Sequence, residues 1–304
     1  MPPVAHRPSA LAWQVFRGSD VVRRGLLTPH QLRSSAWVRL RHDVYADARF
    51  EPDHRLACRA VALRMPPGTL IAGPSAAYLH GVEHAAEFKD DVHVLAPGAS
   101  GLRSQQGLRV HTTHLRQGAD AEPASSTADT PPRCCPTLAA WQTAAWLDPV
   151  RAVGIVDALL ARDLTTHAAL ADVADSNADR PGGRRARWVF GLTDPAAQSP
   201  PASHLRVRLV LAGLPRPVAH HPVQVRSGLV LHPDLAWPEF QIAVEYDGQW
   251  HADPDQLHRD RQRLNQLVGA GWLVLHVTSR RLHHDFAALV REVRSALTSR
   301  GWRR

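Results

Sequence analysis

One stretch near the C-terminus, residues 228–263, constrains the fold more than any other part of the chain. It contains an apolar run over 229–236, a Pro-Glu turn, and an alternating run over 241–247, the pattern of two short strands that precede a helix. Because side chains alternate between the faces of a strand, Glu245 and Asp247 are expected on one face and their apolar neighbours on the other. Two carboxylates on an otherwise buried strand are costly unless a cation compensates them.

Two further residues join these carboxylates to form a candidate site. Asp234 lies in the first predicted strand, and His251 follows the second. Carboxylates at the ends of adjacent strands are the oxygen ligands that Mg²⁺ prefers, with water and phosphate in the remaining positions. We therefore predict a Mg²⁺ (or Mn²⁺) site at Asp234, Glu245 and Asp247, with His251 beside it. Any one of these acids alone would more simply cap a turn or pair with an arginine.

The helix predicted over 255–268 adds a charged pair. Its apolar residues have the spacing of a core-facing stripe: Leu257, Leu264, Leu267 and Val268. Asp260 and Arg261 follow Leu257 by three and four positions, so both are expected on or beside that stripe. The pair belongs either to the site or to a simple ion pair at the edge of the stripe.

The runs HPDLAW, VEYDGQWH and RDRQR resemble the Vsr-like (very-short-patch-repair) endonuclease domain of the domain-of-unknown-function 559 family. That domain is similar to the PD-(D/E)XK nucleases, and Pro233-Asp234 matches the PD of their motif. The resemblance covers about residues 199–298. It implies a restriction-endonuclease-like α/β fold, in the order αβββαβα with a mixed central sheet, and metal-dependent cleavage of DNA by an endonuclease or nickase.

The resemblance also implies roles for the site residues. Asp234 and Glu245 would hold the metal against the scissile phosphate, and Asp247 would add a ligand or position the attacking water. His251 would act as general base or acid, since the unperturbed pKa of histidine suits either role. Arg261 would neutralise the phosphate.

Two departures from the family pattern bear on activity and not on the fold. Asp247 stands where the broader superfamily has lysine, and the only lysine of the chain is Lys89. Ala202 stands where the opening helix usually carries a glutamate. The alternative function is therefore a non-enzymatic DNA-binding regulator or antitoxin with a degenerate nuclease domain. A structural or protein-interaction module is a third possibility.

The N-terminal region, residues 1–116, has a different pattern. Thr28-Pro29 is typical of a helix start, and two strand-like pieces follow over 37–46. This order resembles the winged helix of AbiEi-type antitoxin regulators, with HDVY in place of GVY. It implies an α+β winged-helix-like region that contacts DNA phosphates through three arginines, Arg33, Arg39 and Arg41. The alternative is a solvated basic face beside a hairpin.

Between these regions, residues 117–198 are predicted to be a helical spacer. A polar connection leads into helices over 137–147, 150–161 and 165–175. The Gly- and Arg-rich run over 176–188 is predicted to be a linker or basic hinge. The C-terminal domain is then residues 199–304.

Composition favours DNA as the partner. Lys and Arg total 36 against 28 acidic residues, a net charge of +8, and such a balance favours anionic partners. The three cysteines have neither disulfide nor zinc spacing, which favours a reducing cytoplasm. Because the chain lacks an apolar run of about 18 residues and the apolar segment of a signal peptide, we expect no membrane association. The sequence leaves the oligomeric state open.

Overall fold

A computed structural model describes residues 6–113, 131–197, 199–247 and 254–303 of the chain, without the side chains of residues 113 and 254–260. The chain divides into two compact units. The first comprises residues 1–146 and 168–183, and the second comprises residues 147–167 and 184–304. The predicted helical spacer is therefore shared between the two units.

The described residues before 147 in the first unit form a series of helices and strands. They are β1 (Val15–Arg17), α1 (Gly18–Arg23), β2 (Trp37–Arg41), β3 (Val44–Asp47), α2 (His54–Ala62), β4 (Leu70–Ile71), α3 (Gly73–Leu79), β5 (Val92–Pro97), β6 (Leu108–Thr113) and α4 (Pro136–Trp146). The segment that rejoins this unit later in the chain carries most of α6 (His167–Ser176).

The N-terminal sheet has the strand order β1-β3-β2, and β2 and β3 form the predicted hairpin. Val21 of α1 packs on one face of the sheet, and Leu56 of α2 packs on the other. The predicted helix after Thr28 is wrong, because Gln31–Arg33 forms only one 3-10 turn. Thr28 and Gln31 still cap each other through two hydrogen bonds of 2.8 and 3.2 Å, but the chain must reach the buried start of β2 within a few residues.

The second sheet of this unit has the order β4-β5-β6, with β4 antiparallel and β6 parallel to β5. The ring of His80, at the end of α3, contacts the carbonyl oxygen of Cys134 at 2.8 Å, so it is a packed histidine. The three cysteines are free thiols.

The second unit begins with α5 (Pro149–Ala161) and continues with α7 (Gly183–Phe190). The prediction of a linker over 176–188 is wrong for the part that forms α7. Gly183, Ala186 and Val189 recur every three residues and are buried, while the arginines between them are exposed. This spacing makes an amphipathic helix.

The second unit continues with further helices and strands. They are α8 (Pro200–Leu211), β7 (Val218–Ala219), β8 (Val223–Gln224), β9 (Val230–Leu231), β10 (Leu235–Trp237), β11 (Ile242–Asp247), α9 (Pro254–Gly269), β12 (Leu273–Thr278), α10 (Ser279–His284) and α11 (Phe286–Ser299). The main sheet is mixed, with the order β12-β11-β10-β7 and a parallel β11/β12 pair.

The predicted αβββαβα order has three strands between its first two helices, and two short strands stand in place of each of the first two. β8 and β9 pair with each other in a separate two-stranded sheet, whereas β7 and β10 join the main sheet. His220, with a φ of +48°, and the proline at 222 interrupt the first strand. Pro233 interrupts the second, because proline lacks the N–H that a ladder requires.

The main sheet lies between two layers. On one face Val244 and Val277 pack with Leu205 of α8 and Leu289 of α11. On the other face, Val274 packs with Leu267 of α9 and with residues of the β8/β9 pair. The second unit is thus a mixed α/β structure, as predicted at that level. Among the described helices, none is long and apolar enough to cross a membrane.

Candidate functional site

The alternation predicted for β11 is confirmed. Ile242 and Val244 are buried in the core beneath α8 and α11, and Tyr246 packs against that core. Glu245 faces the opposite layer, where it contacts Arg263 of α9. The face of the sheet toward α9 therefore carries the charged residues of the strand.

Three neighbouring strands place Asp234, Glu245 and His276 side by side. Leu235 lies opposite Val244 in the antiparallel pair, so Asp234 and Glu245 are neighbours at the next position. Glu245 lies opposite His276 in the parallel pair. Directly paired residues of adjacent strands share a face. The predicted acids at 234 and 245 are therefore brought together, and the structure adds a histidine to the row.

Asp234 and Glu245 interact through backbone groups as well as through their charges. Oδ2 of Asp234 accepts a hydrogen bond of 2.7 Å from the N–H of Tyr246, and the backbone N–H of Asp234 donates to the Glu245 carboxylate. Burial raises the pKa of the Glu245 carboxyl; Arg263 lowers it, and the charge of Asp234 raises it again. The net direction is upward, so the negative charge of this pair is not fully compensated by its protein surroundings.

Arg263 is the cation that compensates this pair in part. Its Nε and Nη2 lie 3.2 and 3.1 Å from the same oxygen, Oε1 of Glu245. Nη2 also donates a hydrogen bond to the carbonyl oxygen of His232. The Glu245 side chain is 16% exposed and the Arg263 side chain is 40% exposed. The guanidinium therefore covers the carboxylate from the solvent side and ties it to the segment that precedes Asp234.

Asp247 has a different partner. Its Oδ2 lies 3.1 Å from Nδ1 of His276, and both side chains are nearly half exposed. Arg281 donates a hydrogen bond of 3.1 Å to the carbonyl oxygen of His276. Asp247 therefore orients the ring of His276, the role that a carboxylate often has beside a functional histidine.

The donor set fits an ion that needs few protein ligands. Within the described part of the chain, no group of three or more His, Cys, Asp or Glu side chains is arranged to hold a metal ion. Mg²⁺ typically takes one or two protein carboxylates and completes its shell with water and phosphate. Asp234 and Glu245 provide such a pair, whereas Asp247 turns toward His276.

The other predicted site residues are placed as follows. Arg261 is exposed, and so is Val268, at 55%, so the prediction that they face the sheet is wrong. The face of α9 toward the sheet instead carries Arg263 and the fully buried Leu267. His251 and the side chain of Asp260 lie outside the described residues.

Neither Ala202 nor Lys89 takes the place of the glutamate and the lysine of the family pattern. Ala202 is 1% exposed in the first turn of α8, where its N–H donates to the hydroxyl of Ser199. Lys89 lies in the first unit and pairs with Glu87 at 3.1 Å. Among the described residues, the arginine that contacts Glu245 is Arg263.

The three arginines predicted to bind DNA differ in their surroundings. Arg33 and Arg39 are exposed. Arg41 donates hydrogen bonds of 2.9 and 3.2 Å to the carbonyl oxygens of Gly107 and Gln106, which ties β2 to the turn before β6. Burial, and next the charge of Arg64, lowers the pKa of the Arg41 guanidinium. The contacts of Arg41 are therefore structural, and the freer cations are Arg33 and Arg39.

Sequence reasoning missed Arg263 and His276. The RDRQR run contains Arg263, and the signal that would have selected it is its spacing of four residues from the apolar Leu267. The signal for His276 is weaker. It stands in an alternating strand, but its position beside Glu245 depends on the register of a parallel pair.

Comparison with known proteins finds relatives without a described activity. Over 248 residues the chain is 29% identical to two uncharacterised proteins of Mycobacterium tuberculosis, from strains CDC 1551 / Oshkosh and ATCC 25618 / H37Rv. The match covers 81% of this chain and 87% of each relative. No protein-family model matches the chain, and no solved structure matches it. Because the matched length exceeds that of either unit, these relatives share parts of both units.

Proposed function

We propose that the second unit is a metal-dependent DNA endonuclease or nickase of the Vsr-like, PD-(D/E)XK type. One observation carries this proposal: Asp234, immediately before β10, lies beside Glu245 of β11, where burial raises the pKa of the Glu245 carboxyl and the charge of Asp234 raises it further. A carboxylate pair with uncompensated charge is a setting for a divalent cation. The element order of the unit and its mixed sheet agree with a restriction-endonuclease-like fold.

The residues of the chain would have the following roles in cleavage. Asp234 and Glu245 would hold Mg²⁺ or Mn²⁺, and such an ion would supply Lewis-acid stabilisation of the phosphate and activation of water. Asp247 orients His276 at the edge of the pair. The role of His251 as general acid or base, and any role of Asp260, remain predictions on residues outside the described side chains.

The charge of the second unit supports a DNA substrate. Residues 203–304 contain 14 arginines against 9 acidic residues, a net charge of +5. Such a surface attracts a polyanion, and each phosphate contact releases counterions. The first unit, with exposed Arg33 and Arg39 beside the β2/β3 hairpin, would add a DNA contact of the winged-helix, AbiEi-like kind.

A second candidate function is a non-enzymatic DNA-binding regulator or antitoxin. The observation that favours it is that the three acids already have protein partners: the Tyr246 N–H for Asp234, Arg263 for Glu245 and His276 for Asp247. A sheet whose acidic side chains have protein partners can bind DNA without catalysing its cleavage.

The deciding experiment is a cleavage assay on the wild-type protein. Supercoiled plasmid and linear duplex DNA are incubated with the protein in Mg²⁺, in Mn²⁺, and in either metal with EDTA. The nuclease proposal expects nicks or breaks that appear with metal and stop with EDTA. DNA binding that is indifferent to divalent ions, without cleavage of either DNA, would favour the regulator.

A further inference from the structure

Arg263 contacts Glu245 and is the more exposed of the two side chains. It reaches across from α9, and both its Nε and its Nη2 lie near Oε1 of Glu245. The same Nη2 donates to the carbonyl oxygen of His232, two residues before Asp234. The Arg263 side chain is 40% exposed although it contacts the Glu245 side chain, which is only 16% exposed. It therefore lies at the boundary between the acid pair and the solvent.

We propose that Arg263 is the resident cation of the Asp234–Glu245 pair, that is, the positive charge that contacts the pair before a divalent ion binds. When the ion binds Glu245, Arg263 releases this carboxylate and binds the DNA phosphate at the same place. This inference rests on the proposed function, since it concerns the same acids. It assigns to Arg263 the charge that the superfamily lysine would supply, in place of the exposed Arg261 two positions earlier on α9.

The charge of Arg263 determines the expected direction of the change in metal affinity. A fixed positive charge about 3 Å from a ligand oxygen attracts that oxygen and repels an incoming cation. Removing the charge should therefore strengthen the binding of a divalent ion, although the partial exposure of Arg263 limits the effect. We expect an increase of roughly tenfold in affinity for Mn²⁺, the equivalent of about 1.4 kcal/mol.

The geometry of the guanidinium supports the proposed contact between Arg263 and the DNA phosphate. Arginine is planar and carries five N–H donors, so it can contact two oxygens of a phosphate at once, which lysine cannot do. The hydrogen bond to the His232 carbonyl keeps the group next to the acid pair. Once Glu245 binds an ion, the donors that faced Glu245 are free for the phosphate.

The test compares three variants of the chain: Arg263→Gln, Arg263→Lys and, as the matched control, Arg291→Gln, which replaces an exposed arginine of α11 in the same unit. Mn²⁺ affinity is measured without DNA, from the electron paramagnetic resonance signal of free Mn²⁺. Plasmid cleavage is measured separately at saturating Mn²⁺. For Arg263→Gln we expect tighter Mn²⁺ binding and slower cleavage, a combination that a merely structural residue would not give, because damage to the site lowers both.

Arg263→Lys keeps the charge but not the planar fork, so Mn²⁺ affinity should stay near that of the wild type while cleavage falls. This variant keeps the proposal testable if Arg263→Gln fails to fold. Arg291→Gln should match the wild type in both assays. Unchanged or weaker Mn²⁺ binding in a folded Arg263→Gln protein, or wild-type cleavage in Arg263→Lys, would overturn the inference.

Failure of this inference and failure of the nuclease proposal give different results. If the wild type cleaves DNA and the Arg263 variants cleave equally well, the inference fails and the nuclease proposal survives. If no protein cleaves DNA but Arg263→Gln still binds Mn²⁺ more tightly, the resident-cation half survives. The phosphate half then fails together with the nuclease proposal.

Discussion

Asp157 of α5 and Arg206 of α8 form an ion pair of 2.8 Å in which each side chain is 1% exposed. Asp157 also accepts hydrogen bonds from the hydroxyl of Ser203 and from the N–H of Asp194, each at 2.7 Å. Burial raises the pKa of the Asp157 carboxyl, and Arg206 is the largest opposing influence. This network explains why a helix predicted in the spacer belongs to the second unit.

Breaking this pair from one side should be strongly destabilising. Asp157→Asn leaves the buried charge of Arg206 without a counterion, which typically costs about 3–5 kcal/mol. The free energy of unfolding in urea, followed by tryptophan fluorescence, measures the change. Asp20→Asn is the control, because its pair with Arg23 is exposed and should contribute less than about 1 kcal/mol. If both variants lose the same small amount, the network is not what holds α5 to α8.

Two histidines of the first unit should make its stability depend on pH. Nδ1 of His93 lies 3.1 Å from Nε2 of His111, and the ring of Trp146 stacks on His111. Burial, and next the charge of His111, lowers the pKa of His93 to about 3. Burial, and next Arg109, lowers the pKa of His111 to about 4.

Because both pKa values are depressed in the folded state, the unfolded chain binds protons first as the pH falls below about 6.5. Stability should be full above that pH and should fall as the pH drops from about 6.5 to about 4 for His111 and to about 3 for His93, by up to about 1.4 kcal/mol per pH unit for each histidine. Urea unfolding at several pH values measures the slope. His111→Gln should roughly halve the contribution of the pair, and a slope identical to that of the wild type would show that these rings do not carry it.

The arginines of the first unit should separate into binding and structural residues. Replacing Arg33 and Arg39 with glutamine should weaken duplex binding and reduce the log–log salt slope by roughly one unit for each phosphate that is no longer neutralised. Arg41→Gln should instead lower stability, since Arg41 bonds to Gly107 and Gln106. Fluorescence anisotropy over a range of salt concentrations checks the first statement, and thermal unfolding checks the second. An unchanged slope in the Arg33/Arg39 double variant would place DNA binding elsewhere.

The sequence predicts local pattern well and long-range register poorly. Alternation alone places Glu245 and the apolar side chains of β11 on different faces of the strand, because the face of a side chain depends only on the strand period. The role of Arg263 depends on how α9 is rotated against the sheet, and an apolar stripe that includes the exposed Val268 gives the wrong rotation. His276 becomes part of the row only through the parallel register of β11 and β12. The strand break at His220 depends on a left-handed backbone conformation, which the sequence did not predict.

The central claim is that Asp234 and Glu245 hold a catalytic ion, and Asp234→Asn tests it. Asparagine keeps an oxygen that can accept the Tyr246 N–H, but it removes the charge that binds a metal. DNA binding should stay level or improve, because a negative charge near the phosphate is removed. Asp285→Asn is the matched control, since Asp285 is an exposed aspartate of the same unit whose side chain makes no helix-capping hydrogen bond.

The direct measurement is the initial rate of plasmid nicking in saturating Mg²⁺ or Mn²⁺ for the wild type, Asp234→Asn and Asp285→Asn. We expect metal-dependent nicking by the wild type and by Asp285→Asn, and a rate for Asp234→Asn that is lower by roughly 10²-fold or more. Equal rates for Asp234→Asn and the wild type would contradict the account. So would a wild-type protein that is inert with both metals on duplex, nicked, mismatched and single-stranded DNA.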